Sequence, residues 1–409
     1  MIEPLLSVEA AQERVLGAFK SLDTEQVPIL EATGRVLARE VYANADIPPH
    51  ANSSMDGYAV RAADTTGGTP ETPVSLHIIG DLPAGHVPKQ EVASGTALRI
   101  MTGAPLPPGA DAVVRVEDTE ARGGYVRVFA AVEAGNYVRP VGEDVREGSV
   151  VLHRGRRLRP QDIGMLAALG CEEASVTRKP RVAILATGDE LVAVGEPLAP
   201  GKIRNTNSYS NAAQVIEHGA EPVLLGIAPD RVEELTARIR AGLEQEVDLL
   251  LTSGGVSVGD FDLVRDVLAA EGQMDFWRVR MKPGKPLAFG HMGGVPVLGL
   301  PGNPVSVMVS FEVFVRPALL KMQGMTDWRR PTVEAKLMSE IEHKDKRRHF
   351  LRVRLVWEDG AYRAYLTGAQ GSGILSSMVK ANALAIIPED WDRASAGASV
   401  RVMMLGCRA

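Results

Sequence analysis

Cysteine is almost missing from this chain of 409 residues. Its two thiols, Cys171 and Cys407, supply neither a disulfide framework nor a metal knuckle. No run of roughly 18 uninterrupted apolar residues occurs, so no membrane-spanning helix is expected. The opening Met1-Ile2-Glu3-Pro4-Leu5-Leu6 lacks a basic region and a long apolar core. A signal peptide is therefore not expected, and the cytoplasm is the default location. Net charge is −6 with no basic face or arm, which argues against nucleic acid as the main partner. A polyanionic ligand would have to be held by a few placed cations. Histidines are scattered singly, and no serine-histidine-acid or cysteine-histidine nucleophile arrangement is visible.

What is present points to several well-buried, turn-rich domains. Apolar residues make up 45%, and the 41 glycines and 26 prolines together account for about one residue in six. The length is too great for one ordinary core. Ser7 can cap a helix with Val8, Ala11, Val15, Leu16 and Phe19 on one face. After Ile47-Pro48-Pro49 the texture changes to short β-like runs, Val74–Ile79, Ala97–Met101, Ala112–Val116 and Tyr125–Phe129. A helical pattern returns over residues 159–170. This reads as a helical platform (1–45 and 146–179) into which a small β module (46–145) is inserted.

From Arg181 strands and helices alternate, over residues 180–326. Strands are expected at Arg181–Ala186, Pro222–Gly226, Asp248–Thr252, Leu287–Phe289 and Val295–Leu300. Helices are expected at Ser210–His218, after a cap at Asp230 with Glu233 as its capping-box partner, and at Asp262–Ala270. Asn303 and Pro304 then open a helix to Leu320. This pattern implies a doubly wound α/β domain, a parallel sheet covered on both faces, with ligands at the carboxyl ends of its strands. Residues 327–409 form a C-terminal β domain, with Val333–Ile341, Leu351–Trp357, Tyr362–Leu366 and Val400–Leu405 as strands and Asp359-Gly360 as a hairpin turn.

Three glycine-rich turns carry the chemistry. They are Ser253-Gly254-Gly255-Val256-Ser257-Val258-Gly259-Asp260, Lys282-Pro283-Gly284-Lys285-Pro286 and Pro301-Gly302-Asn303-Pro304-Val305-Ser306. Glycines let backbone N–H groups approach a phosphate, and a helix start adds its positive dipole end. The first turn also reads as a plain strand-to-helix connection. Asp260 and Asp262 are either caps or hard oxygen ligands for Mg²⁺, with Asp189 and Glu190 brought to the same sheet edge. Lys282 and Lys285, joined by Arg278, would converge on an anion. Ser306 sits in a first helical turn able to hold an oxyanion. In the inserted module, Asp56-Gly57, Thr102-Gly103 and Gly142-Glu143-Asp144 read as ordinary turns.

Taken together, Met55-Asp56-Gly57-Tyr58-Ala59, Thr187-Gly188-Asp189-Glu190-Leu191, the three turns above, and Gly368-Ala369-Gln370-Gly371-Ser372-Gly373 followed by Ser377-Met378 and Ala381-Asn382-Ala383-Leu384 closely resemble the molybdopterin molybdenumtransferases. These are the MoeA-type molybdenum insertases, related to the C-terminal part of gephyrin. The match spans nearly the whole chain in order. The resemblance implies a homodimer of four-domain subunits whose α/β domain binds nucleotide and molybdopterin. It implies that adenylylated molybdopterin and molybdate give molybdenum cofactor and AMP, with Mg²⁺ or a similar divalent ion. Other cofactor-biosynthesis proteins and recipient apo-molybdoenzymes would be its partners.

The same resemblance implies roles. Asp189, Glu190, Asp260 and Asp262 would position the metal and the attacking water or oxyanion, beside the phosphate turn Ser253, Gly254 and Gly255. Lys282, Lys285, Pro301, Pro304 and Ser306 would line the oxyanion pocket, with Arg352 and Ser377 as further molybdate contacts. Asp230 would serve the nucleotide end. Asp56, Thr102 and Asp144 would act across the dimer. Arg278 stands where relatives carry lysine, keeping the charge but in forked geometry. Two rivals are a molybdopterin adenylyltransferase that consumes ATP and a non-catalytic scaffold of the same fold. The extra modules favour the insertase over the former, and the full set of acids and lysines disfavours the latter.

Overall fold

A computed structural model describes residues 5–255, 266, 267, 269, 270 and 272–406. The chain forms two compact units. One comprises Met1–Ala38, Gly155–Ile163 and Glu172–Ala409, and the other Arg39–Arg154 and Gly164–Cys171. Each is built around its own sheets.

In the larger unit, apolar runs become strands buried on both faces. Arg181–Thr187 and Leu249–Ser253 are almost wholly buried, the pattern of strands covered by helices on both sides. They occupy the middle of a six-stranded sheet. Its order is Glu221–Ala228, Arg181–Thr187, Leu249–Ser253, Val295–Leu300, Pro286–Met292, Gln273–Arg278. The first four strands are parallel, as alternation with helices requires. The last two join through antiparallel pairings, so the sheet is mixed rather than purely parallel. Gln273–Arg278 was not expected as a strand. Its polar Gln273, Asp275 and Arg278 mix with Met274, Phe276 and Trp277, and Gln273 and Asp275 are exposed, as suits an edge.

The helix opened by Asn303 has Pro304 at its first position. Helical turns continue through Phe311–Val315, which is π-helical, to Met322. Nearly every side chain along this run is buried, so it is the central strut of the unit's main core. Ser7 caps the helix Val8–Gly17, accepting from the Ala10 N–H at 3.1 Å. Beside the helices Val8–Gly17 and Pro160–Ala168, the first segments also hold an antiparallel ribbon, Thr24–Pro28 with Glu173–Thr177.

Strands after Thr332 close on themselves. Arg348–Glu358 pairs with both Ala361–Leu366 and Ala383–Ile387. Thr332–Leu337 and Ser399–Met404 complete the ring around a filled apolar interior. A two-residue strand, Met281-Lys282, adds in parallel to Arg348-His349. That pairing fastens one loop of the α/β sheet to the barrel.

The smaller unit is a six-stranded sheet. Its order is Ala112–Arg115, Gly57–Val60, Thr96–Ile100, Val74–Leu82, Tyr125–Val128, Thr119–Arg122. Alternation sends Tyr58, Val60 and Val114 into one core and Ala59 and Val113 into another. Among the described residues no helix is long and apolar enough to cross a membrane.

Candidate functional site

Four turns leave the carboxyl ends of the parallel strands at one sheet edge, where the topology of an α/β sheet places ligands. The Gly254 N–H donates to the Leu300 carbonyl at 3.2 Å, tying the serine-glycine turn to the Pro301 turn. Gly254 has φ +96°, and a Cβ there would lie 2.8 Å from the Thr187 carbonyl oxygen. Only glycine lets these turns meet. Beside them opens a cavity of about 500 Å³ lined by Thr187, Glu190, Lys202, Asn207, Ser253 and Pro304, among others. The Thr187 and Ser253 hydroxyls and the Asn207 Oδ1 are buried there without a hydrogen-bond partner among the described residues. Unpartnered buried polar atoms cost free energy, and their concentration at one cavity fits a polar ligand.

Asp189 and Glu190 follow Thr187, as the spacing predicts, and both are exposed. Asp230 does not cap the next helix. Arg231 occupies that position, and the Asp230 carboxylate instead accepts from the Asp189 N–H at 3.4 Å. The preceding strands pair up to Thr187 and Ala228, so the two acidic turns are neighbours. The Lys202 ammonium donates to the Asp189 carbonyl. Asp189 and Glu190 offer the hard oxygens that Mg²⁺ takes when it shares ligands with substrate phosphates. Among the described residues they do not form a three-ligand cluster. Asp260 and Asp262, the segment from Val256, and most of the expected helix Asp262–Ala270 lie outside the described residues, as does Cys407. Gly255 is described, directly after Gly254.

A cationic group gathers where the sheet meets the barrel. Gly284, at φ +96°, rests on the helix after Pro304: a Cβ would stand 2.6 Å from Ser310 Oγ and 3.6 Å from the Ser306 carbonyl. Ser306 itself is buried. Lys285 has no ion-pair partner among the described residues. Burial, then the charges of Arg278 and Arg347, push its ammonium below the ordinary lysine range. Arg278 keeps a buried Nε without a partner among the described residues. Lys282 pairs with Asp345 at 3.2 Å.

Arg352 and Ser377, from different parts of the barrel, are brought together. Arg352 Nε donates to Ser377 Oγ at 3.2 Å, and its remaining nitrogens reach the Phe350 and Gly371 carbonyls. Burial brings this guanidinium down to about 10. The Val305 N–H donates to the Ser372 carbonyl at 3.0 Å, so the 368–373 loop abuts the same helix start. Pro301 and Pro304 flank that start, and Pro304 lines the cavity.

Within the smaller unit, Asp56 accepts from both the Thr102 N–H at 2.7 Å and the Thr102 hydroxyl at 2.8 Å. The backbone bond, then the hydroxyl, hold this carboxyl below its usual range. Asp144 is exposed, its N–H donating to the Ile47 carbonyl at 3.0 Å.

Sequence reasoning missed Lys202 and Asn207, which only a polar run before a helix hinted at. It also missed His343, Asp345 and His349, whose ligand atoms lie within 4.8 Å of one another. That trio does not suit a cation, because Lys282 and Arg347 already bind the Asp345 carboxylate. A larger cavity, about 780 Å³ and lined by residues such as Gln12, Arg316 and Trp328, contains none of the anticipated site residues.

Comparison with known proteins shows what the chain is similar to along its length. Residues 6–170 match the MoeA N-terminal region (domain I and II), residues 183–321 a probable molybdopterin binding domain, and residues 334–405 the MoeA C-terminal region (domain IV). The chain is 39% identical over 402 residues to molybdopterin molybdenumtransferase 2 of Mycobacterium tuberculosis, covering 97% of this chain and 98% of that one. It is 35% identical over 405 residues to the molybdopterin molybdenumtransferase of Haemophilus influenzae, covering 97% and 98%. A solved molybdopterin biosynthesis MoeA protein of Pyrococcus horikoshii superposes with a TM-score of 0.85 at 35% identity, over 98% of this chain and 100% of that one. Identity at this level along the full length, with all three regions in order, places the chain in the MoeA family of molybdopterin molybdenumtransferases, enzymes of molybdenum cofactor biosynthesis.

Proposed function

We propose that this enzyme takes adenylylated molybdopterin and molybdate to molybdenum cofactor and AMP in the presence of Mg²⁺. The observation that carries this reading is the juxtaposition at one helix start of two different anion-receptive features. One is the cavity beside the Ser253-Gly254 turn, with its unpartnered polar atoms. The other is the cationic loop, Lys285 with Arg278 beside it, whose Gly284 rests against the same helix. A substrate with a pyrophosphate and a second, tetrahedral reactant needs both.

In this reading the backbone at Ser253, Gly254 and Gly255 approaches the pyrophosphate, and the helix opened by Pro304 adds its positive dipole end. Lys282, Lys285, Arg352, Ser306 and Ser377 receive the oxyanion. Asp189 and Glu190, with Asp260 and Asp262, hold a divalent ion, which supplies charge neutralisation on the phosphates. Asp230 keeps the Asp189 turn in place. Cleavage by water of the pyrophosphate bond releases AMP and leaves the other phosphate on the pterin. Asp56, Thr102 and Asp144 are assigned to the same reaction within a homodimer, and the enzyme is assigned to the cytoplasm. Other cofactor-biosynthesis proteins and recipient apo-molybdoenzymes are its proposed protein partners.

The test mixes purified protein with adenylylated molybdopterin, Mg²⁺ and molybdate, then measures AMP and the reconstitution of an apo-molybdoenzyme. AMP release that requires molybdate, needs no ATP and vanishes in Asp262→Ala is expected. Consumption of ATP with release of pyrophosphate would redirect the assignment to adenylyl transfer. Absence of any turnover would favour a scaffold.

A further inference from the structure

The run Lys344-Asp345-Lys346-Arg347-Arg348 looks like a solvated surface turn, yet His343 and His349 at its ends are buried. One carboxylate organises the segment. Asp345 Oδ2 accepts from Arg347 at 2.6 Å and from the Lys282 ammonium at 3.2 Å. Asp345 Oδ1 faces His349 Nε2 at 2.9 Å and accepts from the Arg347 backbone N–H at 3.3 Å. Both oxygens are thus fully engaged. Burial opposes ionisation here, but the bonds from Arg347 and His349 outweigh it and hold the carboxyl well below its usual range.

Lys282 is the member of this group contributed by the glycine-proline loop. Its backbone pairs with His349, while its side chain reaches Asp345. The loop that carries Lys282 and Lys285 is therefore fastened to the barrel twice, once through a strand pairing and once through a charge. A free lysine side chain samples many rotamers, and an ion pair of this kind restricts it.

We infer that Asp345 is a positioning residue of the oxyanion pocket, setting the Lys282 ammonium and the 282–285 loop where they receive molybdate. This rests on the reading of Lys282 and Lys285 as oxyanion ligands. The sign of the effect separates placement from simple charge. Removing a carboxylate beside a cationic pocket raises the local positive potential, so charge alone would tighten anion binding. Loss of placement weakens it.

The experiment titrates sodium molybdate calorimetrically into the full chain, as the natural sequence, Asp345→Asn, Asp345→Glu, Lys282→Ala and the Asp345→Asn/Lys282→Ala double variant. Binding to Asp345→Asn should weaken roughly 10-fold, the scale of one misplaced charge-assisted contact. The double variant should bind within about 2-fold of Lys282→Ala alone, because the two residues act as one unit. Asp345→Glu keeps the charge and guards against misfolding of Asp345→Asn, and it should show a smaller loss. Tighter or unchanged binding in both Asp345 variants overturns the inference, as does an additive loss in the double variant. Failure of the unaltered chain to bind molybdate overturns the oxyanion reading itself, and the role of Asp345 with it.

Discussion

Asp189 and Asp230 hold each other through reciprocal bonds: the Asp230 N–H donates to Asp189 Oδ1 at 3.1 Å, and the Asp189 N–H to Asp230 Oδ2 at 3.4 Å. Two turns at the ends of neighbouring strands are thereby locked, and two like charges are kept apart by the donors between them. Replacing Asp230 with Ala should cost about 1 kcal/mol of stability, read from urea unfolding, and slow AMP release. Asp230→Asn retains an acceptor and should recover most of the stability. Equal losses in the two variants would mark the contact as incidental.

At Gly254 three turns meet. Gly254→Ala places a methyl 2.8 Å from the Thr187 carbonyl at φ +96°, so either the turn moves or the strand end does. A destabilisation on the order of 2 kcal/mol or more is expected, with loss of activity. A variant that retains both the thermal midpoint and turnover would show that the turn has slack.

Lys285 has no anion among the described residues, and burial together with two nearby cations makes its charge costly. A charge kept under those conditions gains a partner when an anion arrives. Lys285→Ala should weaken molybdate binding by about 1–3 kcal/mol in calorimetry, and Lys285→Arg should lose less. Unchanged affinity would remove Lys285 from the pocket.

Two buried groups give stability separate pH windows. His349, facing Asp345, His343 and Lys282, is brought down to about 4, chiefly by burial against the pull of Asp345. A base whose folded value lies below its unfolded one stabilises fully above the unfolded value. Stability should therefore fall as pH drops from about 6.5 towards 4, by about 2–3 kcal/mol. Glu312 behaves in the opposite chemical sense. Burial would raise its value, but the nearby His218 ring and the bonds from Arg330 hold it at about 2. Its contribution persists above about 4.5 and disappears as pH falls through 2. Unfolding measured between pH 6.5 and 4.5 isolates the first effect, and His349→Gln should flatten that window. An unchanged slope in this variant would falsify the assignment to His349.

Local chemistry was legible in the residues. Ser7 as a cap, Pro304 at a first helical position, Asp359-Gly360 between two strands, and the apolar runs of Arg181–Thr187 and Leu249–Ser253 all depend on neighbours within a few positions. The pairing of Asp189 with Asp230 was not legible, because a capping role satisfies the same local pattern. The edge strand Gln273–Arg278 was hidden for a related reason. Its six residues split evenly between polar and apolar types, so its composition carries little signal.

The order of turns and charged residues along the chain, and with it the family, was determined by sequence alone, since short motifs in register need no third dimension to be read. Which charges meet was decided by tertiary structure. Lys282 and Asp345 are 63 positions apart, and Arg352 and Ser377 are 25 apart. Their contacts exist because a two-residue strand joins sheet to barrel and because the barrel closes on itself. Electrostatic energy depends on distance in space and on burial. Neither is encoded by any single stretch of chain.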